Sequence, residues 1–345
     1  MSGTLLLVIV IVAVALVFDF INGFHDAANS IATVVATRVL TPLQAVIWAA
    51  FFNFIAAIPL FFGEAGVAST VGKGMVNLAV VTPVVILAGL MGAVFWNLLT
   101  WYYAIPSSSS HALMGGYAGA AMAKVGISLG WSHAHEATIP HGWLVTMEFI
   151  VLAPLIGLLL GITLMTLLYW AFRRSSPKNM DTWFRHLQLL SSGLFSYSHG
   201  ANDAQKTMGI IAGVIFAAGY SKVFHVSWWI ILMAHAAIAC GTMSGGWRIV
   251  HTMGGRLTKL KPRSGFCAET AGAIAILLPT YLKIPVSTTH VITGAIAGVG
   301  SIQRLKAVRW GLATNIVWAW ILTLPMSALV GALSFTVIHL LTGQK

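Results

Sequence analysis

The sequence predicts an all-α polytopic membrane protein built from two inverted-topology repeats, with broken helices and re-entrant hairpins. Of its 345 residues, 58% are hydrophobic and only 8% are charged, whereas soluble globular proteins carry about 25% charged residues. Several segments exceed the roughly 20 apolar residues that a helix needs to cross a bilayer. Two polar motifs also occur once in each half of the chain. The composition excludes a soluble globular protein, and the duplication indicates two related halves.

Ten hydrophobic units divide evenly between the two halves. The polar and basic stretch 172–186 separates them, so we predict a first transmembrane repeat over 1–171, a cytoplasmic basic linker over 172–186 and a second, inverted repeat over 187–345. The predicted units are 4–36, 43–62, 79–101, 105–126 and 143–171, followed by 187–217, 226–247, 265–283, 284–301 and 307–340.

The net charge of +11 reports on orientation in the membrane rather than on nucleic-acid binding. Lys and Arg concentrate in residues 173–185, 248–263 and 304–309, which is the pattern of cytoplasmic loops under the positive-inside rule. With these stretches on the cytoplasmic side, an odd number of units per half inverts the second half relative to the first. The sequence therefore predicts a multi-pass protein of the plasma membrane, in contact with lipid and not with nucleic acid.

A polar stretch interrupts one apolar unit in each half. Residues 22–30 read Asn-Gly-Phe-His-Asp-Ala-Ala-Asn-Ser, and residues 198–207 read Ser-His-Gly-Ala-Asn-Asp-Ala-Gln-Lys-Thr. A shift of 177 positions places Asp26 on Asp203. A carboxylate inside a membrane is unfavourable unless it is paired, protonated or hydrated, so this pair suits binding of a cation or a proton. Lys206, about one helical turn past Asp203, could neutralise that carboxylate or face an anion.

A second motif repeats at an offset of 179. Residues 105–111 read Ile-Pro-Ser-Ser-Ser-Ser-His, and residues 284–290 read Ile-Pro-Val-Ser-Thr-Thr-His. Each copy closely follows an apolar unit, which favours a re-entrant hairpin whose turn starts a helix, with Pro in the first turn and Ser/Thr hydroxyls satisfying free amides. Hydroxyls and amides at a helix start favour an anion. We call each such group of donors a cup, and two cups near the midplane suit a tetrahedral oxyanion. Nearby carboxylates favour phosphate over sulfate, because a carboxylate can accept a hydrogen bond from the hydroxyl of a protonated phosphate.

These four motifs resemble those of the PiT inorganic phosphate transporters. The stretches 22–30 and 198–207 are similar to the duplicated Gly-Ala-Asn-Asp signature of that family, and the Ile-Pro-Ser/Thr-His pair looks like its second repeated element. The resemblance runs from Phe18 to the last helix. It implies symport of phosphate with a cation, hairpins at the site and a homodimer. His25 and Lys206 depart from the signature and resemble the bacterial, low-affinity, proton-coupled branch, in which metal–phosphate complexes are also carried.

The expected site contains two groups of residues and no catalytic residue. The travelling cation is H⁺ or Na⁺, with H⁺ favoured; a divalent metal can accompany phosphate, and no resident metal or cofactor is expected. The predicted coupling-ion residues are His25, Asp26, Asn202 and Asp203, and the predicted substrate-binding residues are Asn29, Ser108, Ser109, Ser110, Lys206, Thr207, Ser287, Thr288 and Thr289.

Other functions compete with a proton–phosphate symporter of the bacterial inner membrane. A sulfate permease of the same fold and a Na⁺-coupled phosphate symporter are the alternatives within the resembled family, although His25 and Lys206 speak against a full set of sodium sites. An intramembrane hydrolase is the rival from another class, because Ser110, His111 and Asp26 contain the atoms of a nucleophilic triad. The chain has no Gly-x-Ser-x-Gly or His-Glu-x-x-His, and its site residues are duplicated, which favours a transporter over an enzyme. An ion channel fits less well, since buried carboxylates and anion cups suit tight binding.

Overall fold

The computed structural model describes residues 3–343 and contains twelve α-helices over that range, six in each half. Short 3₁₀ turns join some of them, and a π-helical segment, Thr252–Arg256, follows α9. The helices are α1 Gly3–Ala36, α2 Pro42–Ile55, α3 Gly66–Lys73, α4 Pro83–Tyr102, α5 Ser109–Leu129, α6 Pro140–Ala171, α7 Pro177–Ala217, α8 Trp228–Ser244, α9 Trp247–His251, α10 Pro262–Tyr281, α11 Thr288–Gln303 and α12 Trp310–Thr342.

Within residues 3–343, five segments are long and apolar enough to span a bilayer: α1, α2 with the 3₁₀ turn after it, α4, α6 and α12. A sixth candidate joins α8 to α9 and its π-helical segment across a bend of 61°. This bend falls at Gly245, whose φ of +67° lies in the left-handed region that glycine adopts without strain. The protein is an all-α, multi-pass membrane protein, as the composition predicts.

The longest predicted units stay intact. Units 4–36, 143–171 and 307–340 are each long enough to divide into two pieces, yet α1, α6 and α12 are continuous helices. Pro154 lies inside α6 and Pro325 inside α12 without ending either helix. Membrane helices tolerate an interior proline because neighbouring helices and hydroxyl side chains satisfy the freed backbone groups.

The predicted linker is partly helical. Residues 172–176 lack helical structure, but α7 begins at Pro177 and so extends ten residues beyond the predicted start of its unit. The Ser176 side chain accepts a hydrogen bond from the Asn179 amide, and proline occupies the first turn. Both features favour a helix start, and they place the helix boundary inside the stretch whose charge suggests a loop.

The two halves follow the same order of elements and interlock. Each has a long helix carrying the first polar motif (α1, α7), a shorter helix (α2, α8), a short segment (α3, α9), a hairpin (α4–α5, α10–α11) and a long closing helix (α6, α12). The second hairpin helix of each half packs on the closing helix of the other half: α5 on α12 and α11 on α6. The buried apolar side chains form two clusters, and each cluster contains residues from both halves.

Repeated glycines bring the interlocked helices into backbone contact. A Cβ on Gly119 of α5 would overlap the Ala328 carbonyl of α12, and a Cβ on Gly298 of α11 would overlap the Leu158 carbonyl of α6. Small residues of this kind allow membrane helices to approach closely. The contacts fix the position of both hairpins relative to the long helices.

Candidate functional site

The starts of α5 and α11 lie side by side in the protein interior. Ser108 and Ser287 are their N-caps, and each side chain accepts a hydrogen bond from the amide three residues later, at 3.2 Å from His111 N and 3.3 Å from His290 N. The His111 and His290 rings meet edge to face with centroids 4.8 Å apart. Two helix starts, with their positive dipole ends, therefore converge at one place.

The prolines of the second motif precede these helices. The sequence predicts proline in the first helical turn, but Pro106 and Pro285 lie before the caps, and the helices begin at Ser109 and Thr288. That prediction is wrong because a serine hydroxyl, rather than proline, sets the helix start in each hairpin. The shift places a hydroxyl residue at each of the first two helical positions.

A threonine from each half donates a hydrogen bond to the hairpin turn of the other half. Thr70 Oγ1 donates to the Lys283 carbonyl at 2.7 Å, and Thr252 Oγ1 donates to the Ala104 carbonyl at 3.2 Å. Lys283 and Ala104 have positive φ angles of 64° and 56°. Each turn thus adopts the same left-handed conformation and is bound by the short segment of the opposite half.

Asp26 of α1 joins both hairpin starts. Ser109 donates to its Oδ1 at 3.2 Å, and Thr289 donates to its Oδ2 at 3.5 Å. His25 Nδ1 lies 2.7 Å from the same Oδ1. The carboxylate is 2% exposed, so the histidine and the two hydroxyls stabilise it in place of water.

Asp203 of α7 occupies the equivalent place beside a cation. Lys206 Nζ lies 2.5 Å from its Oδ1, Thr288 donates to its Oδ2 at 3.5 Å, and His199 Nε2 lies 3.4 Å from that same oxygen. Both partners of the Asp203–Lys206 pair are buried. Of the two roles that the sequence leaves open for Lys206, neutralising Asp203 is the one seen.

The residue one turn after each aspartate reaches the hairpin of the other half. Asn29 Nδ2 donates to Thr289 Oγ1 at 2.9 Å, and Lys206 Nζ donates to Ser110 Oγ at 2.5 Å. Lys206 also donates to the Val286 carbonyl at 2.8 Å, so it touches both hairpins. Movement of either hairpin relative to the long helices would break these bonds.

The residue before each aspartate contacts the first helix of its own hairpin. His25 Nε2 lies 3.1 Å from Thr100 Oγ1 of α4, and Asn202 Nδ2 donates to Thr280 Oγ1 of α10 at 2.7 Å. Thr100 and Thr280 are absent from the predicted site. Their separation of 180 positions, close to the motif offset, is the signal that could have identified them.

Every predicted site residue is buried, with at most 3% of its surface exposed. Ser108 and Ser287 act as helix caps, Asn202 turns toward α10, and Thr207 is buried one position beyond Lys206. The other predicted residues form one continuous network of side-chain contacts: His25, Asp26, Asn29, Ser109, Ser110, Asp203, Lys206, Thr288 and Thr289.

A cation could bind between the two half-sites, which are the groups of side chains around Asp26 and around Asp203. Asp26, His199 and Asp203 each offer one ligand atom, and these atoms lie within 4.8 Å of one another. The ammonium of Lys206 on Asp203 already supplies one positive charge there and opposes a second at short range. The predicted site omits His199, although it lies in the first motif one turn before Asp203.

The buried carboxylate of Glu269 lies outside the predicted site. Glu269 of α10 accepts hydrogen bonds from Thr33 at 2.6 Å, from Gln188 at 2.9 Å and from Ser191 at 2.5 Å. These donors belong to α1 and α7, so the cluster ties the second hairpin to both long helices. A glutamate within a predicted apolar unit is the sequence signal for it.

Comparisons with known proteins agree with this geometry. The model of the "Phosphate transporter family" matches the chain twice, at residues 22–181 and 171–331. A "Probable low-affinity inorganic phosphate transporter" of Rhizobium meliloti is 55% identical over 330 residues, covering 95% of this chain and 96% of the relative. One of the same description from Bacillus subtilis is 42% identical, covering 99% of this chain and all of the relative.

A solved structure shares the fold. The protein described as "The sodium-dependent phosphate transporter" superposes with a TM-score of 0.86 at 24% identity, covering 97% of this chain and 99% of that one. The two matches to one family model fit the two interlocked halves. The chain belongs to the phosphate transporter family, the PiT family, and is a transporter rather than an enzyme.

Proposed function

We propose that this chain carries inorganic phosphate into the cell together with a proton, with the anion free or bound to a divalent metal. The observation that carries the proposal is Lys206, which pairs with Asp203 and donates to both hairpins. A buried ammonium beside two helix starts supplies positive charge and donors in one place, as an oxyanion requires.

The substrate contacts would come from the hairpin starts and from Lys206. Ser109, Thr288 and Thr289 donate to the two aspartates at 3.2–3.5 Å, which is long for an O–H···O bond. These hydroxyls can therefore turn toward phosphate without losing strong bonds. A protonated phosphate hydroxyl could in turn donate to Asp26, which a fully ionised sulfate cannot do.

The asymmetry of charge favours a proton over sodium as the coupling ion. Lys206 neutralises Asp203, so Asp26 is left as the carboxylate of the network without a permanent cation beside it. Its contact with His25 at 2.7 Å provides a pair of groups that can share and release one proton. Proton uptake there would neutralise the site before phosphate binds, and proton release would expel the anion.

Sodium coupling is the second candidate. The ligand group of Asp26, His199 and Asp203 supports it, and the structural neighbour is described as sodium-dependent. Sulfate in place of phosphate finds less support, because the relatives are described as phosphate transporters.

Three further statements stay predictions. They are the division into repeats at 1–171 and 187–345, the roles of the site residues, and a homodimer.

The test is uptake of radiolabelled phosphate into proteoliposomes, with a pH gradient and a sodium gradient imposed separately. We expect uptake driven by the pH gradient, unchanged by excess sulfate. Uptake that requires sodium would overturn the coupling ion and leave the phosphate site intact. Sulfate uptake without phosphate uptake would overturn the substrate.

A further inference from the structure

A cavity that contains charged side chains lies outside the buried site. Its volume is about 880 Å³, and it is bordered by the loop before α3, α3 itself, the start of α6, residues 224–226 and the turn of the second hairpin. Helix α6 has 32 residues and is about 48 Å long, so His141 at its start lies far from the basic residues after Ala171. Those basic residues are cytoplasmic by the positive-inside rule. The cavity, here called the outer vestibule, therefore opens to the exterior.

Two lysines line the outer vestibule. Lys73 Nζ lies 5.6 Å from the centroid of the Phe224 ring, and Lys283 Nζ lies 2.7 Å from Glu64 Oε2. Two histidines also line the cavity and can donate to an anion. Glu64 is the acidic residue of the lining, and its carboxylate forms an ion pair with Lys283, one of the two lysines.

Basic residues are few on this face because the topology concentrates them, the arginines above all, on the cytoplasmic side. The outer half of the molecule carries Lys73, Lys124, Lys222 and Lys283. Lys124 donates to the Val80 carbonyl at 3.0 Å, and Lys222 is exposed outside the vestibule lining. The remaining two both line one concave surface, where like charges raise the local concentration of an anion.

A single turn of chain separates the vestibule from the buried site. Ile284 and Pro285 form part of the vestibule lining. The next residue, Val286, accepts a hydrogen bond from Lys206 through its carbonyl. The turn of the second hairpin thus presents Lys283 to the exterior and a carbonyl to the site lysine, so its displacement would connect the two spaces.

We propose that the outer vestibule is a loading site for the phosphate anion, held by Lys73 and Lys283 before the hairpin turn lets it pass to Lys206. The proposal rests on phosphate uptake as the function of the chain. An oxyanion between the two lysines competes with Glu64 for Lys283, so Glu64 opposes loading. The attraction involves exposed charges and therefore weakens as ionic strength rises.

The test measures phosphate uptake against external phosphate concentration, at low and high choline chloride on both sides of the membrane. Lys73→Gln should raise KM about fivefold, as expected for loss of one charge near the anion in water. Its maximal rate should match that of the unsubstituted protein, and its KM should depend less on salt. Lys73→Arg, which keeps the charge, should retain the original KM.

Lys222→Gln is the matched control, because it removes an exposed lysine from the same face outside the vestibule. It should leave KM unchanged, whereas Glu64→Gln should lower KM by freeing Lys283. An unchanged KM and salt dependence in Lys73→Gln would overturn the loading site, as would an equal rise in Lys222→Gln. Absence of phosphate uptake by the unsubstituted protein would instead contradict the proposed function.

Discussion

The two half-sites share one backbone plan but differ in charge. Asp26 and Asp203 lie on equivalent helices and contact equivalent hydroxyls, yet the residue three positions later is Asn29 in one half and Lys206 in the other. The first half-site satisfies its carboxylate with a histidine and hydroxyls. The second satisfies its carboxylate with a permanent cation. Duplication thus set the geometry, and substitutions beside the aspartates left Asp203 next to a permanent cation and Asp26 without one.

This difference also sets what each half tolerates. Removing one partner of a buried ion pair leaves an uncompensated charge and costs about 3–5 kcal/mol, even where the intact pair adds little net stability. Asp203 and Lys206 are each 1% exposed or less, so water cannot replace the missing partner. Asp26 has no such partner, and its replacement leaves behind only groups that can be neutral.

The largest effect is expected from Asp203→Asn. This change should abolish coupled uptake and destabilise the protein by about 3–5 kcal/mol, because Lys206 keeps its charge without a counter-ion. Asp26→Asn should abolish coupled uptake with a smaller loss of stability. Uptake in proteoliposomes and the melting temperature in detergent would separate the two. Full uptake by Asp203→Asn would remove that residue from the mechanism.

Lys206→Asn would give the second half-site the residue of the first. Asp203 would then need a cation from solution, so we expect uptake to fall roughly hundredfold without sodium and to recover partly with it. A melting temperature that rises with sodium only in this variant would support the same conclusion. Lys206→Arg keeps the charge and serves as the control. Unchanged proton-driven uptake by Lys206→Asn would show that the charge difference has no role in coupling.

Smaller effects should follow from removing one hydroxyl at each hairpin start. Ser109→Ala and Thr288→Val are equivalent changes in the two halves, and each removes one donor worth about 1 kcal/mol. We expect each to raise the KM for phosphate about fivefold. Equal effects would show that both cups hold the anion. An unchanged KM in both variants would contradict the proposed substrate contacts.

The smallest effect concerns the two hairpin turns and their response to acid. The ion pair with Lys283 lowers the pKa of Glu64, so this contact persists above the usual glutamate pKa and is lost as pH falls through the lowered value. At the other turn, Arg248 Nη1 donates to the Tyr102 carbonyl at 2.8 Å, a contact that contains no carboxylate.

Acid should therefore loosen the turn at residues 282–286 and leave the turn at residues 103–107 unchanged. Hydrogen exchange of both peptides, corrected for the intrinsic effect of pH, would measure this. Glu64→Gln should make the turn at residues 282–286 insensitive to acid. Equal responses of both turns in the unsubstituted protein would contradict the assignment.

The sequence predicts the duplicated plan because both motifs repeat at nearly one offset. Equivalent positions such as Asp26 and Asp203 can be paired without coordinates. The partners across the interface cannot, since Lys206 reaches Ser110 only because α5 packs on a helix of the other half. The Glu269 cluster is hidden for the same reason: its donors come from two helices distant in sequence. The sequence also misplaces the start of a helix where a serine cap and a proline lie close together, as they do before α5 and α11.

Lys206 has an electrical consequence. Its charge is part of the chain and stays with the protein when phosphate leaves. Moving one elementary charge across a membrane is worth about 2.3 kcal/mol per 100 mV, and a mobile cation bound beside Asp203 would draw on that energy in every cycle. A tethered ammonium does not. We therefore expect this chain to take less driving force from the membrane potential than a transporter that fills the same place with a travelling ion, and its phosphate accumulation to depend less on voltage.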